Sequence, residues 1–137
     1  MAFVLDASVT ACWALGDEDH ADAREAFRRI ATEEAVVPRL WWFEVRNILV
    51  VNERRRRITE SETAAFLRAL SRLRMREDGS PDDDAVLRLA RTHQLSVYDA
   101  VYLELAQRER LDLATLDHRL WDAALTEGIS VVRPASE

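Results

Sequence analysis

Four acidic side chains stand where an apolar run ends or inside an apolar helix: Asp6, Glu44, Asp99 and Asp117. Asp6 follows Ala2 to Leu5, and Asp117 closes the run from Leu111 to Leu116 in the same way. Asp99 lies in Leu95-Ser96-Val97-Tyr98-Asp99-Ala100-Val101-Tyr102-Leu103, where a polar turn hands over to a helix. Near a helix's positive end a carboxylate is stabilised and can be held in a fixed position. Glu44 sits between Phe43 and Val45 in a run so apolar that an ionised carboxylate is costly there without a cation or a metal. Gathered in one cleft, these acids could not all stay ionised without compensating cations. Hard oxygen ligands with few nitrogens and no thiolate pairs favour Mg²⁺ or Mn²⁺ over zinc. Such a site suits in-line attack on a phosphodiester, one ion activating a water and another steadying the leaving oxygen.

Each acid also has a plainer structural reading, and locally both stay open. Ser96 and Asp99 match S-x-x-D, so Asp99 could close a capping box. Asp6 could cap the segment through Cys12 and Trp13, and Asp117 the short helix through Leu120 and Trp121. Glu44 could pair with an arginine such as Arg46. His20, His93 and His118 read as surface bystanders.

The elements that must position the acids alternate between strand and helix. Ala2 to Leu5 reads as a strand, and Asp17 to Glu34 as an amphipathic helix with Ala23, Phe27, Ile30 and Ala31 inward. Ala35 to Val37 is a strand closed by Pro38, and the helix after it carries Leu40, Phe43, Ile48 and Leu49. Adjacent residues of a helix cannot share a face, so one of Trp41 and Trp42 belongs to the core and the other to a partner surface. The run Arg54, Arg55, Arg56 and Arg57 ends that helix as a solvated, dipole-favoured cluster or as a phosphate-contacting patch for RNA. Thr59 and Glu62 form a capping box for a helix with Phe66, Leu67, Leu70 and Leu73. Leu73 to Glu77 is a short strand. Ser80 and Pro81 open a helix with Asp82 to Asp84 in its first turn and Val86, Leu87 and Ala90 on its apolar face. Tyr98, Val101, Tyr102 and Leu105 fall at i, i+3, i+4 and i+7, a single buried stripe. Leu111 to Leu116 and Ile129 to Val132 are the last strands, with Gly128 ending the helix between them. This alternation reads as a parallel sheet covered on both faces, whose strand ends bring Asp6, Asp99 and Asp117 to one edge.

Composition narrows the classes. The chain has 137 residues, suited to one domain over 1–137, and a lone Cys12 excludes an internal disulfide framework. No apolar run approaches the roughly 18 residues of a membrane span, and Asp6 interrupts the hydrophobic start, so a cytoplasmic protein is expected. The net charge of −6 argues against a general nucleic-acid coat, although not against a nucleic-acid enzyme that gathers metals. All 19 basic residues are Arg. The absence of Lys speaks against a Walker-A nucleotide site and a receiver-type module, and only 3 Gly argue against a dinucleotide fold. An aspartyl-nucleophile phosphatase of the haloacid dehalogenase type would want a second acid where this chain has Ser8, and a lysine besides.

Asp6-Ala7-Ser8-Val9, Glu44, Ser96-x-Tyr98-Asp99-Ala100-x-Tyr102 and Thr115-x-Asp117 together resemble the PIN-domain ribonucleases, especially the VapC-type toxins of toxin–antitoxin pairs. The resemblance covers nearly the whole chain. It implies an α/β/α sandwich around a parallel five-stranded sheet, four acids binding Mg²⁺ or Mn²⁺, and cleavage of single-stranded or looped RNA such as tRNA or rRNA. The family's acids fall on Asp6, Glu44, Asp99 and Asp117, its small polar residue on Ser8 and its threonine on Thr115. It further implies a homodimer silenced by a VapB-type antitoxin protein. Some relatives carry a further acid near the fourth, where this chain has Leu120, which leaves the number of metals open. The alternatives are a housekeeping PIN nuclease that processes RNA without an antitoxin, and a catalytically silent α/β binding module in which the acids only cap helices.

Overall fold

The computed structural model describes residues 1–16 and 18–135. Four strands, β1 (Ala2–Leu5), β2 (Glu34–Pro38), β3 (Met75–Asp78) and β4 (Asp112–Ala114), form one sheet in the order β3-β2-β1-β4. Every pairing is parallel, with Phe3 opposite Ala35 and Asp112, and Val36 opposite Arg76. Seven helices fill the connections: α1 (Ala7–Ala14), α2 (Ala21–Arg29), α3 (Arg39–Arg54), α4 (Glu60–Leu70), α5 (Asp83–His93), α6 (Val97–Glu109) and α7 (His118–Thr126). The central strand β1 reads as a continuous apolar run because helices cover it, and Phe3, Val4 and Leu5 are wholly buried. At the edge, β3 keeps Arg76 and Glu77 exposed. α6 packs on β1, β2 and β4 and is the helix at the heart of the fold.

The expected fifth strand is a single rung. Val131 bridges Leu113, with Leu113 N–H donating to Ser130 and Val132 N–H donating back to Leu113, at 2.9 Å each. Neither end can lengthen. The Leu111 N–H is committed to the Ala106 carbonyl at the end of α6, and Pro134 has no N–H to offer the next residue of β4. β4 is correspondingly shorter than Leu111 to Leu116.

Several expectations about faces also shift. The helix read from Asp17 is α2, which begins at Ala21, and Asp17 itself lies outside the described residues. Its buried stripe is Ala23, Ala26 and Ile30, so Phe27 stands out at 53% exposure with its ring edge-on to Trp13, and Ala31 is exposed. Arg29 ends α2 by bridging Glu33 and Asp112 at 2.8 and 3.0 Å while its guanidinium lies over the Phe3 ring. On α3 the core face is Trp41, Val45 and Leu49, leaving Trp42 and Phe43 outside. The Thr59–Glu62 capping box forms as expected. Asp82 is the cap of α5, accepting from Ala85 N–H, so that helix starts two residues beyond Pro81, and Leu87 is exposed. His93 is no bystander: its Nε2 lies 2.7 Å from Glu127, tying α5 to the end of α7. α6 is buried on almost every side, yet Tyr98 is exposed, so the single stripe expected there does not hold. Its buried Glu104 is compensated by Arg108, which also binds Asp78. Gly128, at φ +78°, takes the left-handed turn that closes α7.

Candidate metal-binding active site

Asp6 is the residue immediately after β1, at the carboxyl edge of the sheet, where open α/β folds bind their ligands. It occupies the cap position of α1, but its side chain caps nothing. Instead Oδ2 accepts from the Ser8 hydroxyl at 2.6 Å and the Thr115 hydroxyl at 2.7 Å. Both hydroxyls are themselves oriented by backbone: Leu116 N–H donates to Ser8 Oγ and Asp117 N–H to Thr115 Oγ1. With its proton donors thus aimed at the carboxylate, the loop after β4 is locked to the loop after β1. Ser8 and Thr115 thus act together on Asp6, and each of the two positions uses a hydroxyl to do so.

Glu44, one turn into α3, is held by Tyr102 of α6, whose hydroxyl donates to Oε1 at 2.5 Å. Tyr102 is completely buried, and burial plus the negative charge of Asp6 and Glu44 raises its pKa, which keeps it a donor. The sequence showed Tyr102 only as an apolar position. Its spacing three residues after Asp99 was the available clue. Asp99 lies in the first turn of α6, its N–H donated to Ser96 Oγ at 3.1 Å. Only that half of the capping box is formed. Asp117 does cap α7, accepting from Arg119 and Leu120 N–H at 2.9 and 3.1 Å through Oδ1.

The electrostatics show that these acids face one another. Asp6 is pushed from 3.8 up to about 6 by burial and by Asp99, against the lowering effect of its two hydroxyl donors. Glu44 is likewise pushed up to about 6, by burial and by Asp6 and Asp99, with Tyr102 opposing. Asp99 is raised by burial and by Asp117. Yet among the described residues no arginine or histidine forms an ion pair with any of the four, although such pairs are common elsewhere among them. Arg46, the partner considered for Glu44, lies instead over the Trp42 ring, 4.1 Å from its centre. Mutually repelling carboxylates without a cationic side chain are the donor set that a hard divalent cation fits. Among the described residues no three acids lie at metal-holding distance of one another. Glu44 and Asp117 are turned onto their protein donors.

Arg54 to Arg57 sit on the exposed end of α3. Ten residues of helix separate Arg54 from Glu44, about 15 Å. Arg57 bonds Asn52 and Glu18, at 2.9 and 3.0 Å, which gives it a structural role. The groove lined by Cys12, Trp13, Ala23 and Phe27 on the outside of α1 and α2 includes none of the four acids.

Fold and site thus define a parallel α/β domain that gathers unpaired carboxylates beyond its strand ends. The PIN domain profile matches residues 3–125, and the chain belongs to that family of nucleases. Among solved structures it is similar to PAE2754 from Pyrobaculum aerophilum, at 27% identity and a TM-score of 0.69, over 96% of this chain and 84% of that one. It is also similar in fold to the sarcin–ricin-loop-cleaving toxin VapC20 of Mycobacterium tuberculosis, at 20% identity and a TM-score of 0.60, over 96% and 99% of the two chains. A search of curated proteins found no match. Among the described residues no helix is long and apolar enough to cross a membrane.

Proposed function

We propose that this chain is a Mg²⁺- or Mn²⁺-dependent endoribonuclease that cuts single-stranded or looped RNA and acts as the toxin of a toxin–antitoxin pair, as a homodimer silenced by a VapB-type antitoxin. The observation that carries the nuclease reading is Asp6. A carboxylate raised by burial and by Asp99, and given no cationic side chain among the described residues, is arranged for a metal rather than for stability.

Asp6, Glu44, Asp99 and Asp117 would hold the cation. When bound, it supplies activation of a water and stabilisation of the leaving oxygen in phosphodiester hydrolysis. The chain's own groups do the positioning. Ser8 and Thr115 fix the Asp6 carboxylate through two short donors, and Tyr102 sets the direction of Glu44. α6 and α7 start at this edge, with Asp99 in the first turn of one and Asp117 as the cap of the other, which puts both carboxylates beside the Asp6 loop. Arg54, Arg55, Arg56 and Arg57 would contact the RNA backbone at a distance from the cut. The toxin role and the looped substrate are carried over from VapC20, described as cleaving the sarcin–ricin loop.

The test is incubation of antitoxin-free protein with total cellular RNA in Mg²⁺, Mn²⁺ and EDTA, with Asp99→Asn alongside and new 5′ ends mapped. Discrete metal-dependent cuts by wild type alone are expected. Equal cutting by both proteins would place the site elsewhere, and no cutting would favour a silent binding module.

A further inference from the structure

We propose that the exposed ring of Tyr98 is a stacking seat for one unpaired RNA base beside the acid cluster. The inference rests on the nuclease reading and adds to it a residue that grips the substrate by its base. Tyr98 is 62% exposed, at the start of a helix whose other large side chains are nearly all buried. It precedes Asp99 directly and lies four residues before Tyr102, the residue that donates to Glu44. At 100° per residue, Tyr98 and Asp99 fall about 40° and 60° to either side of the direction in which Tyr102 points. At 1.5 Å per residue, Tyr98 stands about 6 Å nearer the open edge than Tyr102. On α3, half-buried Leu40 bears the same relation to Glu44, four residues earlier and one turn nearer that edge. One turn nearer the edge than the Glu44–Tyr102 bond, α6 thus carries an exposed aromatic ring, beside Val97 at 49% exposure, and α3 carries an aliphatic side chain.

Tyr98 directly precedes Asp99, which sets its occupant: an RNA cut at the acids has a flanking base for an exposed aromatic face beside them. An aromatic face takes any base, provided that base is unstacked, so the seat admits single strands and loops and refuses a continuous duplex.

The test measures binding of a fluorescent single-stranded RNA by anisotropy, in Ca²⁺ to slow turnover, with full-length protein. Tyr98→Ala, Tyr98→Phe and Tyr98→Trp are compared on that RNA and on copies carrying one abasic nucleotide at each position in turn. Because the ring is exposed, all three variants should melt with wild type. Tyr98→Ala is expected to weaken binding roughly 5- to 150-fold, the range for one base–aromatic stack. Phe and Trp should bind like wild type. At one abasic position the difference between wild type and Tyr98→Ala should vanish. Wild-type affinity in Tyr98→Ala would overturn the seat while leaving the nuclease intact. So would an equal loss on every abasic RNA, or a Tyr98→Ala effect confined to self-association in sedimentation. A stack observed without any RNA cleavage by wild type would keep the seat and refute the nuclease. No RNA binding by wild type would refute both.

Discussion

Replacing Asp6 by Asn should stabilise the metal-free protein at neutral pH, and the effect should grow with pH. Asp6 ionises near 3.8 in an unfolded chain and is pushed up to about 6 in the fold, chiefly by burial. A carboxyl raised in this way favours the fold while it stays protonated, below the unfolded value. That advantage is lost as pH climbs through the folded value, because the unfolded chain ionises freely and the native state does not. The gap of about two pH units, at about 1.36 kcal/mol each, makes ionised Asp6 cost the native state about 3 kcal/mol, of which about 2.5 develops between pH 4 and pH 8. Asn can still accept from Ser8 and Thr115 through its carbonyl oxygen, while its buried NH₂ carries a penalty that does not depend on pH. The difference between variant and wild type therefore isolates the charge, although other carboxylates titrate in both proteins. At this chain length 1 kcal/mol moves Tm by roughly 3–4 °C, so the variant should gain roughly 7–10 °C on wild type between pH 4 and pH 8 in EDTA. Mn²⁺ should remove most of the difference, since wild type gains about 2.7 kcal/mol at a hundredfold excess over Kd and the variant, short of a ligand, gains less. Melting curves across pH, with EDTA and with Mn²⁺, measure both effects. A variant–wild-type difference that stays flat with pH would refute the trapped-charge reasoning and leave Asp6 as a tie for two hydroxyls.

Three further substitutions separate roles that one residue combines. Asp117→Asn should change stability by less than about 0.5 kcal/mol, because Asn caps helices as well as Asp, while Mn²⁺ stabilisation and RNA cleavage fall; a urea titration beside a Mn²⁺ melt shows whether the two roles part. Thr115→Val removes a donor to Asp6 and an acceptor for the Asp117 N–H, and should cost about 1–3 kcal/mol in urea unfolding, more at pH 8 than at pH 4. Arg108→Met leaves buried Glu104 without its cation and should cost about 3 kcal/mol, most of it recovered when Glu104→Leu is added; an uncompensated double variant would show that Arg108 acts through Asp78 instead.

What the sequence disclosed and what it hid follow from the range of the interactions involved. β1 and β2 were legible because a strand covered by helices has to be a short apolar run, and Glu44 stood out because a carboxylate in so apolar a run needs a cation or a metal. The rung at Val131 looked like a strand because its hydropathy is that of one. Its length is set by partners distant in sequence, the committed Leu111 N–H and the missing N–H of Pro134. Phe27 and Tyr98 were read inward on spacing alone. In α2 a stripe of alanines takes the core face and sends the phenylalanine onto Trp13, and no periodicity records that choice. The His93–Glu127 contact joins residues thirty-four apart, so His93 gave no local sign of a partner.

The acids illustrate the same division within one site. Whether each carboxylate serves as a cap or as a ligand could not be settled locally, and the structure divides them: Asp6 caps nothing, Asp99 forms half a box, and Asp117 caps fully. The decisive property is collective. A capping carboxylate is stabilised by its helix and gains nothing from other acids nearby, so evolution toward stability alone would leave caps dispersed. Here burial raises the proton affinity of Asp6, Glu44 and Asp99 on three different elements, Asp99 adds to it at Asp6 and Glu44 and Asp117 adds to it at Asp99, while the donors Ser8, Thr115 and Tyr102 hold Asp6 and Glu44 in place. A fold that buries such charges beside one another, and spends three hydroxyls on aiming them, suits the proposed site, whose compensation would come from a cation. That is the physical content of the motif, and it is why Asp6→Asn, the substitution expected to make the metal-free protein most stable, should also weaken its response to Mn²⁺.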